Sequence, residues 1–185
     1  MASSLLFIAL LPDEVIRKEV TQFKEYAATH FRSSRALRSP PHITLISPFR
    51  WPEERVGELH TILALFAAEE HPFQLGLDGF NRFPPRVIFV DVERKVELFG
   101  LQSRLEAYLE ASLNLKNESH HAYNPHMTVA FKDLHRSVFP EAWAYFSQLK
   151  YERALLVDAL ALLQHNGRNW EVSRQFAFEK EGKAE

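Results

Sequence analysis

One offset constrains this chain more than any other feature. The pattern Pro-His-x-Thr occurs in "SPPHITLISPFRW", at residues 41–44, and again in "AYNPHMTVAF", at residues 125–128, 84 residues further on. The same shift carries the apolar run at 3–9 onto 87–93, which contains "VIFVDV". It carries 12–31 onto 96–115, 52–70 onto 136–154, and 73–80 onto 157–164. The order strand, helix, His-x-Thr strand, helix, strand is therefore expected twice, although few residues are identical. Such a chain predicts an α+β fold of two similar lobes related by a pseudo-twofold axis, with the His-x-Thr strands facing each other.

Local patterns support those elements. Ile16, Val20, Phe23, Ala27 and Phe31 fall on one helical face, behind Pro12 and two acidic residues. A second helix is expected from Pro52, with Val56, Leu59, Leu63 and Phe66 on one side. A third spans Lys95 to Leu113, and a short fourth lies near Pro140 to Leu149. "FQLGLDGF" and "RVIFVDV" read as strands, and two closing strands are expected in "RALLVDALALLQ" and "NWEVSRQFAF".

The 185 residues suffice for one bilobal domain over 1–180, followed by a solvated tail at 181–185. The net charge of −2 supplies little long-range field, so an anionic ligand needs a local basic site. There is no cysteine, which excludes disulfides and thiolate metal sites and fits a reducing cytoplasm. The apolar run Leu5–Leu11 has no basic residue before it and is too short to span a bilayer. A cytoplasmic protein with no membrane partner is expected.

In a strand, residues i and i+2 share a face. His42 and Thr44 then project together, with Ile43 and Leu45 turned to the core. His126 and Thr128 do the same in front of Met127 and Val129. Proline lacks a ladder N–H and suits a strand start, which explains Pro41 and Pro125. Two imidazoles can remove a proton from a nucleophile and deliver one to a leaving oxygen near neutral pH. Two hydroxyls can donate to anionic oxygens. A phosphodiester offers two ester oxygens and two anionic ones, and so matches the set.

Other readings of the same residues stand beside this one. A single His-x-Thr is usually a surface histidine, and two copies could be duplicated strand starts without function. Zinc is the other alternative, because His120, His121 and His135 lie near the second motif. Threonine is a poor zinc ligand, however, and no His-Glu-x-x-His occurs, so no metal is expected.

"HITL" and "HMTV" resemble the paired signatures of the two-histidine (2H) phosphoesterase superfamily, in its 2′-5′ RNA ligase-like branch, which includes RNA 2′,3′-cyclic phosphodiesterases. The similarity extends to "HITLISPF", "RFPPRVIFVDV" and the closing "HNGRNWEV…FAF". The resemblance implies two lobes of antiparallel sheet with outer helices around a central cleft, and chemistry without a metal or other cofactor. It makes His42, Thr44, His126 and Thr128 the catalytic set, with His42 as acid to the leaving oxygen and His126 activating water. The implied partner is an RNA end or nucleotide bearing a cyclic phosphate, handled by a monomer. Two alternatives are a phosphodiesterase for 2′-5′ linked oligonucleotides or a small cyclic phosphate, and an RNA-end-binding module without turnover.

Further substrate contacts are expected around the motifs. Lys132 stands where some family members have arginine, a point charge in place of a bidentate fork. Arg86 follows "FPP" at the expected cleft edge, or is an ordinary surface arginine. Phe49, Trp51 and Tyr123 could stack on a base, although core packing serves Phe49 equally. Arg35 and Arg38 lie in a basic loop before the first motif and could guide an RNA tail.

Overall fold

A computed structural model describes residues 2–119 and 121–179. The tail at 181–185 and His120 lie outside the described residues. Among the described residues there are two four-stranded antiparallel sheets and four α-helices. The elements run β1 (Ser3–Leu10), α1 (Glu14–Phe31), β2 (Ile43–Pro52), α2 (Val56–Ala68), β3 (Phe73–Phe83), β4 (Val87–Val92), α3 (Val96–Leu113), β5 (His126–Ala130), α4 (Phe139–Phe146), β6 (Glu152–Val157), β7 (Ala159–His165) and β8 (Trp170–Ala177). One sheet has the order β2-β1-β7-β8 and the other β5-β4-β3-β6.

Read in parallel, the two orders match β2 to β5, β1 to β4 and β7 to β3 as the 84-residue offset expects, while β8 and β6 fall outside the offset, and the lobes are not the halves of the sequence. β3 leaves the first half to pair with β4, and β7 leaves the second half to pair with β1. The helices cross as well. α1 packs against β5, while α3 packs against β2 and α2. Each lobe is thus built from both halves, and buried residues of both sheets form one continuous apolar cluster. Separating the repeats would unpair β1 from β7 and β4 from β3 and would open that cluster.

Two expectations need correction. "RALLVDALALLQ" is not one strand. It breaks at Asp158 into β6, which pairs with β3, and β7, which pairs with β1. The chain changes sheets there, so three closing strands replace the two expected. The buried stripe of α1 is Ile16, Val20, Lys24, Ala27 and Phe31. Lys24 therefore occupies the core position assigned to Phe23, which instead packs edge-on against Phe80 and Tyr151.

Caps hold α1 in place. The Asp13 side chain accepts from the Ile16 N–H at 2.9 Å, satisfying one of the free donors of the first turn. Arg32 ends the helix in the left-handed region, at φ 55°. On the outer surface, the Glu19 carboxylate accepts from Arg153 Nη2 at 2.6 Å and Nε at 2.9 Å, and from the Tyr151 hydroxyl at 2.9 Å. The Arg153 guanidinium holds the Glu19 carboxyl below its ordinary pKa.

β2 and β5 each form one edge of their sheet, and these two edges approach each other. Both His-x-Thr segments therefore meet in one place. Among the described residues no helix is long and apolar enough to cross a membrane.

Candidate active site

The alternation expected of the motif strands holds. Ile43, Leu45, Met127 and Val129 are buried, whereas His42, Thr44, His126 and Thr128 are partly exposed. A cavity of about 270 Å³ lies between the strands, lined by His42, Thr44, His126 and Thr128 together with Phe83 and Phe131.

Both histidines are fixed by the same backbone device. His42 Nδ1 lies 2.7 Å from the Pro40 carbonyl, and His126 Nδ1 lies 2.7 Å from the Asn124 carbonyl. A carbonyl can only accept, so Nδ1 carries the proton and the neutral ring keeps its lone pair on Nε2. In each case the accepting residue precedes the motif proline. That residue is biased toward extended backbone, and the proline fixes φ. The Pro-His pairing seen in the sequence thus sets the tautomer and orientation of each imidazole.

Aromatic walls surround the rings. Phe7 lies 4.8 Å from His42, and Phe83 and Phe89 lie 5.2 and 5.1 Å from His126, between ring centroids. Burial penalises the charged imidazolium and pushes His42 down to about 4, and the ammonium of Lys24 and the facing His126 add to this. Burial lowers His126 as well. The carbonyl bonds oppose both shifts without cancelling them.

Lys24 is a site residue that the sequence reading missed. It is only 2% exposed, and its Nζ donates to the Ala36 carbonyl at 3.1 Å and the Ser39 carbonyl at 3.0 Å. Those carbonyls belong to the short 3₁₀ turn Arg35–Arg38 and the residue after it, directly before Pro40. Burial lowers Lys24 to about 7. The clue was present: a lysine four residues after Val20 and three before Ala27 falls on the apolar stripe. From the loop after β5, against which α1 packs, Asp133 holds the same turn. Its carboxylate accepts from Ser33 Oγ at 3.0 Å, Ser34 N at 2.8 Å and Arg35 N at 3.0 Å.

The other expected contacts divide. Lys132 lines a second cavity of about 300 Å³ with Arg35, Arg38, His42 and Thr44. Tyr123 lines a third, of about 820 Å³, beside His126 and Thr44. Arg86 is exposed at the β3–β4 turn and lines none of the three cavities. Phe49 and Trp51 do not reach the cleft. They are 9% and 5% exposed in the core, and Trp51 Nε1 donates to the Arg55 carbonyl at 2.9 Å. Their odd numbers put them on the side of Ile43 and Leu45, because two one-residue register shifts along β2 together preserve the alternation. Phe7, Phe83, Phe131 and Trp170 line the cavities instead. Among the described residues no three His, Cys, Asp or Glu side chains converge as a metal site would need.

Similarity to known proteins extends over most of the chain. Residues 12–169 match the family model of the 2′-5′ RNA ligase superfamily. A Geobacillus protein named "Putative phosphoesterase" is 27% identical over 172 residues, covering 91% of this chain and 93% of the relative. A Bacillus cytotoxicus protein of the same name is 31% identical over 129 residues, 69% of each chain. Among solved structures, TT0787 of Thermus thermophilus superposes with a TM-score of 0.72 at 22% identity, covering 96% of this chain and all of that one. LigT of E. coli in complex with 3′-AMP superposes at 0.69 and 19% identity, covering 96% of this chain and 99% of that one. At these identities the structural likeness is one of fold.

Proposed function

The chain belongs to the 2′-5′ RNA ligase superfamily, and on that premise we propose that it is a phosphodiesterase opening 2′,3′-cyclic phosphates at RNA or nucleotide ends. The observation that carries this reading is the single cavity lined by His42, Thr44, His126 and Thr128. The phosphoesterase names of its relatives and the 3′-AMP complex of LigT agree with such a substrate.

In the proposed reaction one imidazole takes a proton from water at Nε2 as the water oxygen bonds to phosphorus. The bond from phosphorus to the 3′ oxygen breaks, and the other imidazole gives that oxygen a proton. The product carries a 2′-phosphate and a 3′-hydroxyl, and the reverse reaction would join RNA ends through a 2′-5′ linkage. The Thr44 and Thr128 hydroxyls donate to the two non-bridging oxygens, where they stabilise the charge of the transition state. The cavity supplies acid–base groups and hydrogen-bond donors, so the reaction is assigned no metal. One chain contributes both motifs, so a monomer suffices.

The family resemblance gives His42 the part of the acid. Burial lowers both rings, and at His42 the ammonium of Lys24 adds to the penalty, so in the free protein the imidazolium is disfavoured at either position. An anionic phosphodiester in the cavity raises both values toward the working range.

The test is a panel of 2′,3′-cyclic, 3′,5′-cyclic and 2′-5′ linked substrates with the position of the product phosphate determined. A 2′-phosphate formed from the 2′,3′-cyclic substrate, at a rate unchanged by a chelator, is the expected outcome. No turnover of that substrate, or loss on chelation restored by zinc or manganese, would refute the proposal.

A further inference from the structure

The catalytic cavity is flanked by two others of opposite chemical character. On the His126 side, the 820 Å³ cavity is lined by Gln102, Asn117, Asn124, Tyr123 and Glu106, and among the described residues it holds no lysine or arginine. On the His42 side, the 300 Å³ cavity presents Arg35, Arg38 and Lys132, and among the described residues it holds no carboxylate. Thr44 borders all three spaces.

The cationic side is a built site. Asp133, the nearest carboxylate in the chain to Lys132, is occupied by the backbone N–H groups of Ser34 and Arg35 and by the Ser33 hydroxyl. It therefore positions Arg35 beside Lys132 without ion-pairing either side chain. Lys132 itself sits in the left-handed region at φ 55°, which an unbranched residue other than glycine occupies only when its surroundings hold it there. Lys24 ties down the other side of the Arg35–Arg38 turn from within the core. Among the described residues none of Arg35, Arg38 and Lys132 forms an ion pair. Phe7, Phe131 and Trp170 supply apolar walls beside these three exposed cations.

A ribose 2′,3′-cyclic phosphate has a matching asymmetry. Its base leaves the ring at C1′ and its 5′ carbon at C4′, on either flank of the fused phosphate. With the phosphorus in the central cavity, one flank receives an uncharged ring with hydrogen-bonding edges. The other receives whatever the 5′ oxygen carries.

We propose that the cleft reads the polarity of its substrate: the terminal base enters the cavity beside His126, and a second anionic group on the 5′ side of the same sugar is held by Arg35, Arg38 and Lys132. The preferred substrates are then 5′-phosphorylated cyclic nucleotides or the 3′ ends of RNA chains, rather than bare nucleoside cyclic phosphates. This inference rests on the reaction proposed above.

The experiment compares kcat/KM for a nucleoside 2′,3′-cyclic phosphate, for the same compound with a 5′-phosphate, and for a dinucleotide ending in a cyclic phosphate. Charge-assisted contacts of this kind predict a gain of about tenfold or more for the 5′-phosphorylated compound. The gain should shrink as salt rises, because these contacts lie near solvent. An equal gain for the dinucleotide identifies an RNA end as the substrate, and a gain for the monophosphate alone identifies a free nucleotide; both support the anion site. The R35Q/R38Q double variant should bring the ratio toward one, with its unfolding temperature checked alongside. The wild-type ratio and its salt response are decisive even if that variant does not fold. A ratio of one overturns the inference. So does a ratio below one, since the reversed pose brings the 5′-phosphate to Glu106, and so does a gain confined to the dinucleotide. Failure to turn over any of the three would overturn the reaction itself, which separates the two outcomes.

Discussion

His42 and His126 occupy equivalent positions in equivalent strands, and both are pinned through Nδ1 to the carbonyl two residues earlier. Behind that shared device their surroundings differ. The carbonyl that orients His42 follows a turn braced by a buried lysine from α1 and by Asp133 from the loop after β5. The carbonyl that orients His126 belongs to Asn124, whose side-chain oxygen accepts from exposed Arg94 at 2.7 Å. No buried cation stands behind it among the described residues. Shifting Lys24 by the 84-residue offset gives Tyr108, which packs near Phe66 instead. Pseudo-symmetry thus places two identical groups, and the packing around them makes them chemically unequal. A symmetric phosphodiester site can in this way acquire an acid, a base and a preferred substrate direction.

The largest expected effects test whether the pair acts as a unit. His42→Ala and His126→Ala should each lower turnover of a 2′,3′-cyclic nucleotide by about 10²–10⁴-fold, the usual worth of one positioned proton-transfer group. The double variant should lose much less than the product of the two single losses. Strictly multiplicative losses would show two independent contributions. Next in size, Thr44→Ala and Thr128→Ala should each cost about 10²–10³-fold in kcat by removing an oxyanion donor. Serine at either position should recover most of that loss. Wild-type rates with alanine at both sites would leave the threonines as strand formers only.

The pH dependence sharpens the inequality of the two histidines. The acid must hold a proton, and burial lowers both rings from their ordinary value. Protonation is lost as pH rises through a depressed pKa. The alkaline limb of kcat/KM, which reports the free enzyme, should therefore lie on the acid side of about 6.5. The optimum of kcat should lie higher, because the bound anion raises both groups. Coincident profiles would contradict the role given to burial.

A smaller effect concerns Lys24. Its folded-state pKa near 7 lies below that of an unfolded lysine, so between these values the unfolded chain binds more protons. Wild-type stability should accordingly rise from pH 7 to 10 relative to Lys24→Met, as urea unfolding at several pH values would show. Parallel curves would mean that Lys24 keeps an ordinary pKa.

Much of the scaffold was legible because period-two and helical patterns report which side of an element is wet. Ile43, Leu45, Met127 and Val129 marked the dry face of both motif strands, so His42, Thr44, His126 and Thr128 could be paired from the sequence alone. The same rule, carried four and six residues past Leu45, would have sent Phe49 and Trp51 to the core. Other features left weaker traces. Phe7 lies in a strand buried on both faces, where alternation disappears. The break at Asp158 separates two apolar runs with no glycine or proline, so a single strand was the simpler reading. Only the sheet-pairing shows that the chain changes lobes there. Lys24 was hidden because a lysine on an apolar stripe normally extends to water. Here two backbone carbonyls satisfy it inside the protein.

The division of labour between the two lobes can be tested most directly with a p-nitrophenyl phosphodiester, whose leaving group needs no proton. Rates of His42→Ala and His126→Ala on this substrate should separate. The variant lacking the acid should return close to the wild-type rate, while the variant lacking the base should remain down by about 10²–10⁴-fold. Recovery of His42→Ala would assign the acid as the family resemblance implies, and recovery of His126→Ala would assign the reverse. Equal losses in both variants, or wild-type rates in both, would contradict an acid–base pair.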